Sequence, residues 1–441
     1  MTSGRWLAVL LWAVIAGAFI GPGTVVTAAS AGAGYDLALI WAVAFSTVTC
    51  FLLQEAAARL TLATDRDLAG WLRIRASSGT PALALLGLVV GAVVIGCAAY
   101  EAGNILGAVA GASAVLPVST RALTLVTGAT AAALLWSGRP TTVARALGVL
   151  VAVMGLAFVV TAVGLAPSPD RLVRGALVPS LPPGTTLLVV ALVGTTVVPY
   201  NLFLGSSLAR GQNDRDTRFG LAVAIGLGGL VTAAIVVVGS AVAGEFTFAG
   251  LAAVLSERLG PWAAVMFAVG LCAAGLSSAV TAPLAAALTV RGAVGAERWS
   301  SDGWRFRSVW AGVLLVGVVF GLLDVRPVPA IVLAQALNGV MLPVVAVVLL
   351  VAVNDRSTLG SRLPSLGHTV LLGGAVAVTV MLGTSSVVRA VTTALRLDPP
   401  SPGRVLVLAA AVAAAAAVPT ANAVRRGRQS RSGGRPRPVT R

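Results

Sequence analysis

The sequence predicts an all-α integral membrane protein whose first and sixth spans are broken within the bilayer. Three observations carry this. The 441 residues are 57% hydrophobic and only 10% charged, with a mean hydropathy of +0.95, whereas soluble domains sit near half apolar and a quarter charged. Apolar runs long enough to cross a bilayer recur about twelve times. Two of them carry helix breakers at the same relative point, Gly21-Pro22-Gly23 in the first and Pro199 in the sixth.

In chain order the runs lie near 6–32, 36–59, 82–108, 121–137, 145–166, 186–209, 219–243, 261–290, 308–323, 328–353, 368–388 and 404–424. The first reads as a span rather than a cleaved leader, because it is long and others follow it. The last two read as additions to a ten-helix core. "FTFAGLAAVLSERLG", 246–260, reads as a short amphipathic helix capping the outside. The expected division is a transporter core over 1–360, additional membrane helices over 361–424 and a basic disordered tail over 425–441. Cys50, Cys97 and Cys272 each sit in an apolar run, so no disulfide framework is expected.

The net charge of +16 would point to nucleic acid in a soluble chain. Here the arginines fall between the apolar runs and in the tail, so a specific nucleic-acid partner is not expected. All 31 basic residues are arginine, which fits the codon bias of a GC-rich bacterial genome. Arg66, Arg73 and Arg75 follow the second run, Arg139 and Arg145 the fourth, and Arg210, Arg215 and Arg218 the sixth. Arg291, Arg298, Arg305 and Arg307 follow the eighth, and Arg356 and Arg362 the tenth. The odd connections hold Asp36, Asp170, Glu245, Glu257 and Asp324 beside fewer arginines. By the positive-inside rule both termini are cytoplasmic and the cytoplasmic membrane is the location. The tail then lies near anionic headgroups.

Breaking a helix in lipid frees backbone groups that only protein or a water-filled cavity can receive. Taken alone, Pro22 and Pro199 each fit a kink sealed by neighbouring helices. Together, five spans apart, they fit the inverted-repeat (5+5) transporter fold of the leucine-transporter type, in which two broken helices face a midplane site. The two C-terminal helices are extra to that fold.

Several stretches resemble the Nramp family of divalent-metal transporters. "FIGPGTVVTAASAGAGYDLALIWA" resembles that family's first helix, and "FLLQEAAARLTLATDRDLAGWL" its second with the following loop. "GTTVVPYNLFLGSSL" resembles the sixth, "MFAVGLCAAGLSSAVTAPLA" the eighth, and "VLAQALNGVMLPVVAVVLLVAVNDRSTLG" the tenth. The resemblance places the family's metal-binding Asp at Gly21, its Asn at Thr24, its Met at Val198 and the next His at Tyr200. Gln335 matches a glutamine that lines the family's site. What remains is the backbone around Gly21 and Thr195, the hydroxyls of Thr24 and Thr196, and the Gln335 amide. Of these, Thr24, Thr195 and Gln335 are the candidate metal contacts. Such neutral oxygens suit a hydrated hard cation or a polar organic solute better than dry Mn²⁺ or Fe²⁺.

Glu101, in "GCAAYEAGNILGAV", reads as the ionisable residue deep in the bilayer, and by resemblance it matches an acid that moves protons. A charge at that depth marks a pathway by default. The other reading is a structural acid, kept protonated and bonded to Asn104 or Tyr100. The family's companion acid falls on Ala98, and the sole histidine, His368, is expected to face water, so proton coupling is expected to be weak or absent. Two solute classes stay open, a divalent cation of the Mg²⁺ or Mn²⁺ class and an amino acid or other small polar molecule. A non-transporting receptor is disfavoured by the retained breaks. No metal-ligand cluster, nucleophile triad or phosphate loop appears, so neither enzyme activity nor a cofactor is expected.

Overall fold

The computed structural model describes residues 20–394, apart from 77–78, 139, 296 and 324, together with 403–405 and 407–415. The first half of the first span, residues 406 and 416–424 of the last span and the basic tail lie outside the described residues. Every regular element among the described residues is helical.

The first described helix is α1 (Pro22–Tyr35), followed by α2 (Ile40–Thr64), the short α3 (Leu68–Ala76) and the long α4 (Thr80–Ser113). Next come α5 (Thr120–Trp136), α6 (Pro140–Gly164) and the surface helix α7 (Pro169–Leu177). The sixth span is two helices, α8 (Thr186–Thr196) and α9 (Pro199–Leu208). It is followed by α10 (Asp214–Gly239), the short α11 (Phe248–Leu259) and α12 (Trp262–Val294). The chain continues with α13 (Trp304–Leu322), α14 (Pro327–Asn354), the single turn α15 (Arg356–Leu359) and α16 (Leu366–Ala394). By length and composition, nine segments of the described residues could cross a membrane, with α8 and α9 counted as one. The 17 residues of α5 fall just short of that count. The expected outer helix at 246–260 is α11, started by the Thr247 hydroxyl, which accepts from Gly250 N at 2.9 Å.

Burial separates an inner from an outer set of helices. The chain is buried throughout Ile20–Ala29 and Val189–Phe203, so both breaks lie at the centre of the bundle. Outward positions of α4, α5, α6 and α13 are apolar and exposed, among them Leu88, Val126, Val163 and Leu315, as a lipid-facing surface requires. Apolar tails give helices no hydrophobic reason to associate, so close contact depends on small residues. Where α4 crosses α12, a Cβ on Gly275 would stand 2.5 Å from Ala108 N, and one on Gly111 2.6 Å from Ala268 O. Where α8 crosses α14, a Cβ on Gly194 would stand 2.5 Å from Gly339 N. Where α1 crosses α10, one on Gly239 would stand 2.5 Å from Ala29 O. These crossings press α1 and α8 into a wall formed by α4, α10, α12 and α14.

Candidate functional site

Gly21 is extended (φ −94°, ψ 176°), and Pro22 opens α1 at its first position, where a missing N–H costs nothing. In the sixth span Val197 (φ −104°, ψ 77°) and Val198 (φ −83°, ψ 124°) leave the helix, and Pro199 opens α9. The interruption in the sixth span is thus two residues long, Val197 and Val198. Proline's fixed φ suits the first helical position, so Tyr200 is already inside α9.

The two breaks touch through side chains. Thr24 Oγ1 and Thr195 Oγ1 share a hydrogen bond of 3.1 Å between residues 171 apart in sequence. Tyr100, on α4, donates from its hydroxyl to Thr195 O at 3.4 Å. Its ring meets Tyr200 edge to face, with centroids 5.7 Å apart. Gln335, on α14, packs its amide where a Cβ on Gly23 would stand, and its Nε2 would lie 3.6 Å from a Cβ on Gly103. On α9, Asn201 O accepts from Gln54 Nε2 at 3.0 Å, which ties α2 to the break. The structure thus brings together Gly21, Gly23, Thr24, Thr195, Tyr200 and Gln335. Val198 is buried beside them, while Thr196 turns its hydroxyl back to Leu192 O at 2.9 Å.

The lining is neutral. Among the described residues no group of three or more His, Cys, Asp or Glu side chains could hold a metal ion. Both Gln335 amide atoms and the Tyr200 hydroxyl lack a hydrogen-bond partner although buried. So does Ser278 Oγ on α12, which sequence reasoning missed; it would lie 3.4 Å from a Cβ on Gly21. A lone serine in a small-residue helix carries no signal that could have marked it.

Glu101 is fully buried and accepts from Asn104 Nδ2 at 3.3 Å, while its other oxygen has no partner. It lies against α13, where Gly317 leaves room for its Cγ and carbonyl. Tyr100 belongs to the break instead, so the alternative Tyr100–Glu101 bond does not form.

One expectation needs correcting, and one buried acid was not anticipated: Glu55 on α2 has a side chain only 4% exposed. It accepts from Arg59 Nη2 at 2.5 Å and from Arg218 Nε at 2.9 Å. His368 does not simply face water. Its Nε2 lies 3.1 Å from Glu55 Oε2, an ion pair when the ring is protonated, and its side chain is 20% exposed. The Glu55–Arg59 spacing of four residues is a helical ion-pair signal visible in the sequence. Its completion from α10 and α16 is not.

Outside the chain itself, the model of the Nramp family (natural resistance-associated macrophage protein-like) matches residues 12–389. A protein of Acidiphilium cryptum named divalent metal cation transporter MntH is 30% identical over 385 residues, covering 82% of this chain and 86% of that one. The structure of the Eremococcus coleocola manganese transporter superposes with a TM-score of 0.72 at 18% identity, covering 97% and 96% of the two chains. MhsT in complex with L-phenylalanine superposes at 0.57 with 15% identity over 87% and 98%. Both structures share this chain's fold, the leucine-transporter type. With the family model covering nearly the whole described chain, this multi-pass membrane protein belongs to the Nramp family of transporters.

Proposed function

We propose that the chain is a secondary transporter of the cytoplasmic membrane that moves a divalent cation of the Mg²⁺ or Mn²⁺ class by alternating access. The carrying observation is the Thr24–Thr195 hydroxyl pair, which joins the two helix breaks in a buried, neutral setting. Relatives named divalent metal cation transporters support the cation. The lining supports a hard ion that keeps part of its water, because hydroxyl, carbonyl and amide oxygens attract softer ions weakly. The same chain division holds in this reading: a core over 1–360, added helices over 361–424 and a tail over 425–441, with both termini cytoplasmic. Glu101 and Asn104 flank the pathway, and proton coupling is weak or absent, since Ala98 and Gly21 supply no further titrating group.

A second reading, transport of an amino acid or other small polar solute, is favoured by the unpartnered donors of Gln335 and Tyr200. Calorimetric titration of the purified chain with Mg²⁺, Mn²⁺ and a panel of amino acids separates the two. Saturable cation binding, weakened by Thr24→Val or Thr195→Val, is expected. Saturable binding of an amino acid with none of either cation would overturn the cation reading.

A further inference from the structure

Several groups left over at the breaks can donate hydrogen bonds, and Gln335 Nε2 can only donate, so a cation alone does not satisfy it. Gln335 is fully buried and Ser278 and Tyr200 are 2% and 1% exposed, yet none has a partner for its amide or hydroxyl. Other hydroxyls of α12 are bonded to their own helix: Ser277 to Ala274 O at 3.1 Å, Thr281 to Ser277 O at 2.8 Å and Thr289 to Ala285 O at 2.8 Å. Ser278 is held off that pattern and directed at Gly21. Gln335 stands on the other side, against Gly23. Between them α1 begins its 14 residues with no side-chain cap, and the positive end of its dipole favours negative charge there. A buried polar group left unpaired is costly, so these donors mark a place for an acceptor.

The cation reading needs the same thing. A divalent ion entering a lining of Thr24, Thr195, Tyr200, Ser278 and Gln335 meets no negative side chain, and a bare charge in a buried neutral site is strongly penalised. We infer that a small carboxylate binds beside Gly21 together with the cation. Its oxygens accept from Ser278 and Gln335 and, on their other lone pairs, face the ion. An added Cβ on Gly21 would stand 3.4 Å from Ser278 Oγ, so the serine hydroxyl lies within contact of that position. The inference rests on the cation reading, and the two fail differently in one experiment.

Purified full-length protein is titrated calorimetrically with Mn²⁺ in chloride and in acetate, at matched pH and ionic strength. Binding of radiolabelled acetate is measured with and without Mn²⁺. Acetate is expected to raise Mn²⁺ affinity about tenfold, and Mn²⁺ to raise acetate affinity by the same factor, because coupling is reciprocal. Gly21→Asp supplies a resident carboxylate, so it should bind Mn²⁺ more tightly in chloride and lose the acetate effect. Ser278→Ala, a minimal change that keeps the test open if Gly21→Asp misfolds, should shrink the acetate effect. Equal Mn²⁺ affinity in the two buffers, or acetate binding that ignores Mn²⁺, would overturn the inference. Absence of saturable Mn²⁺ binding in both buffers would instead overturn the cation reading beneath it.

Discussion

Gly21 has an extended backbone that any residue adopts, and the space beside it ends at Ser278. A Cβ there is at ordinary contact distance, whereas one at Gly23 would collide with the Gln335 amide. Gly21→Asp is expected to raise Mn²⁺ and Cd²⁺ affinity tenfold or more, about 1.4 kcal/mol. Val198→Met, on the Gly21→Asp background, is expected to favour Cd²⁺ further because a thioether is a soft ligand. Competition titrations of the variants check this, and unchanged Cd²⁺ affinity would place the cation elsewhere. The untouched protein should bind Cd²⁺ no better than millimolar. Glu101 poses the second residue-scale question. Glu101→Gln preserves shape and the Asn104 contact while removing the ionisable group. Impaired flux with an unchanged melting temperature is expected if Glu101 lines the pathway; full activity would make it a structural acid. Much of this was legible from residue types, since Thr24, Thr195 and Gln335 do meet at the breaks. Thr196 and Ser278 were not, because which way a hydroxyl turns on a helix depends on neighbours remote in sequence.

At the scale of elements, glycine decides how closely helices cross, and position decides whether a methyl group matters. Both Gly226 and Gly239 lie on α10, but nothing stands within 4 Å of a Cβ on Gly226, while one on Gly239 meets the Ala29 backbone. Gly239→Ala should destabilise by about 1–3 kcal/mol through overpacking. Gly226→Ala should be neutral or slightly stabilising, because alanine forms helix better than glycine. Thermal unfolding in detergent checks the pair. The Glu55 group gives a second element-scale prediction, since it ties α2 to α10 and brings α16 alongside. Removing one partner of a buried ion pair costs roughly 3–5 kcal/mol, and partial exposure discounts that. With Arg218 44% exposed, Glu55→Gln is expected to cost on the order of 2 kcal/mol, partly restored by adding Arg218→Gln. A loss that Arg218→Gln does not relieve would show that Arg218 is not what Glu55 holds. The breaks were readable because proline marks a helix start. The Glu55 group was not, since its partners Arg218 and His368 come from α10 and α16 and no local pattern links them to α2.

For the whole molecule, hydropathy and the matched prolines were enough to reach the fold, because lipid admits so few ways to satisfy a backbone. The runs also came close at their edges: 121–137 is α5, Thr120–Trp136, and the sixth run is two helices separated by Val197 and Val198, just before the expected Pro199. What moves through the bundle follows from its titratable groups and their spacing. Apart from Glu101, the centre of the described bundle offers neutral side chains, and the Glu55 carboxylate is already occupied by Arg59 and Arg218. A cation should therefore cross without a chain of protonatable groups to accompany it. The direct measurement is simultaneous recording of Mn²⁺ entry and lumenal pH in proteoliposomes containing the full chain. The account predicts saturable Mn²⁺ entry with little accompanying proton flux. Acidification in fixed proportion to Mn²⁺ entry and abolished by Glu101→Gln, or no Mn²⁺ entry at all, would contradict it.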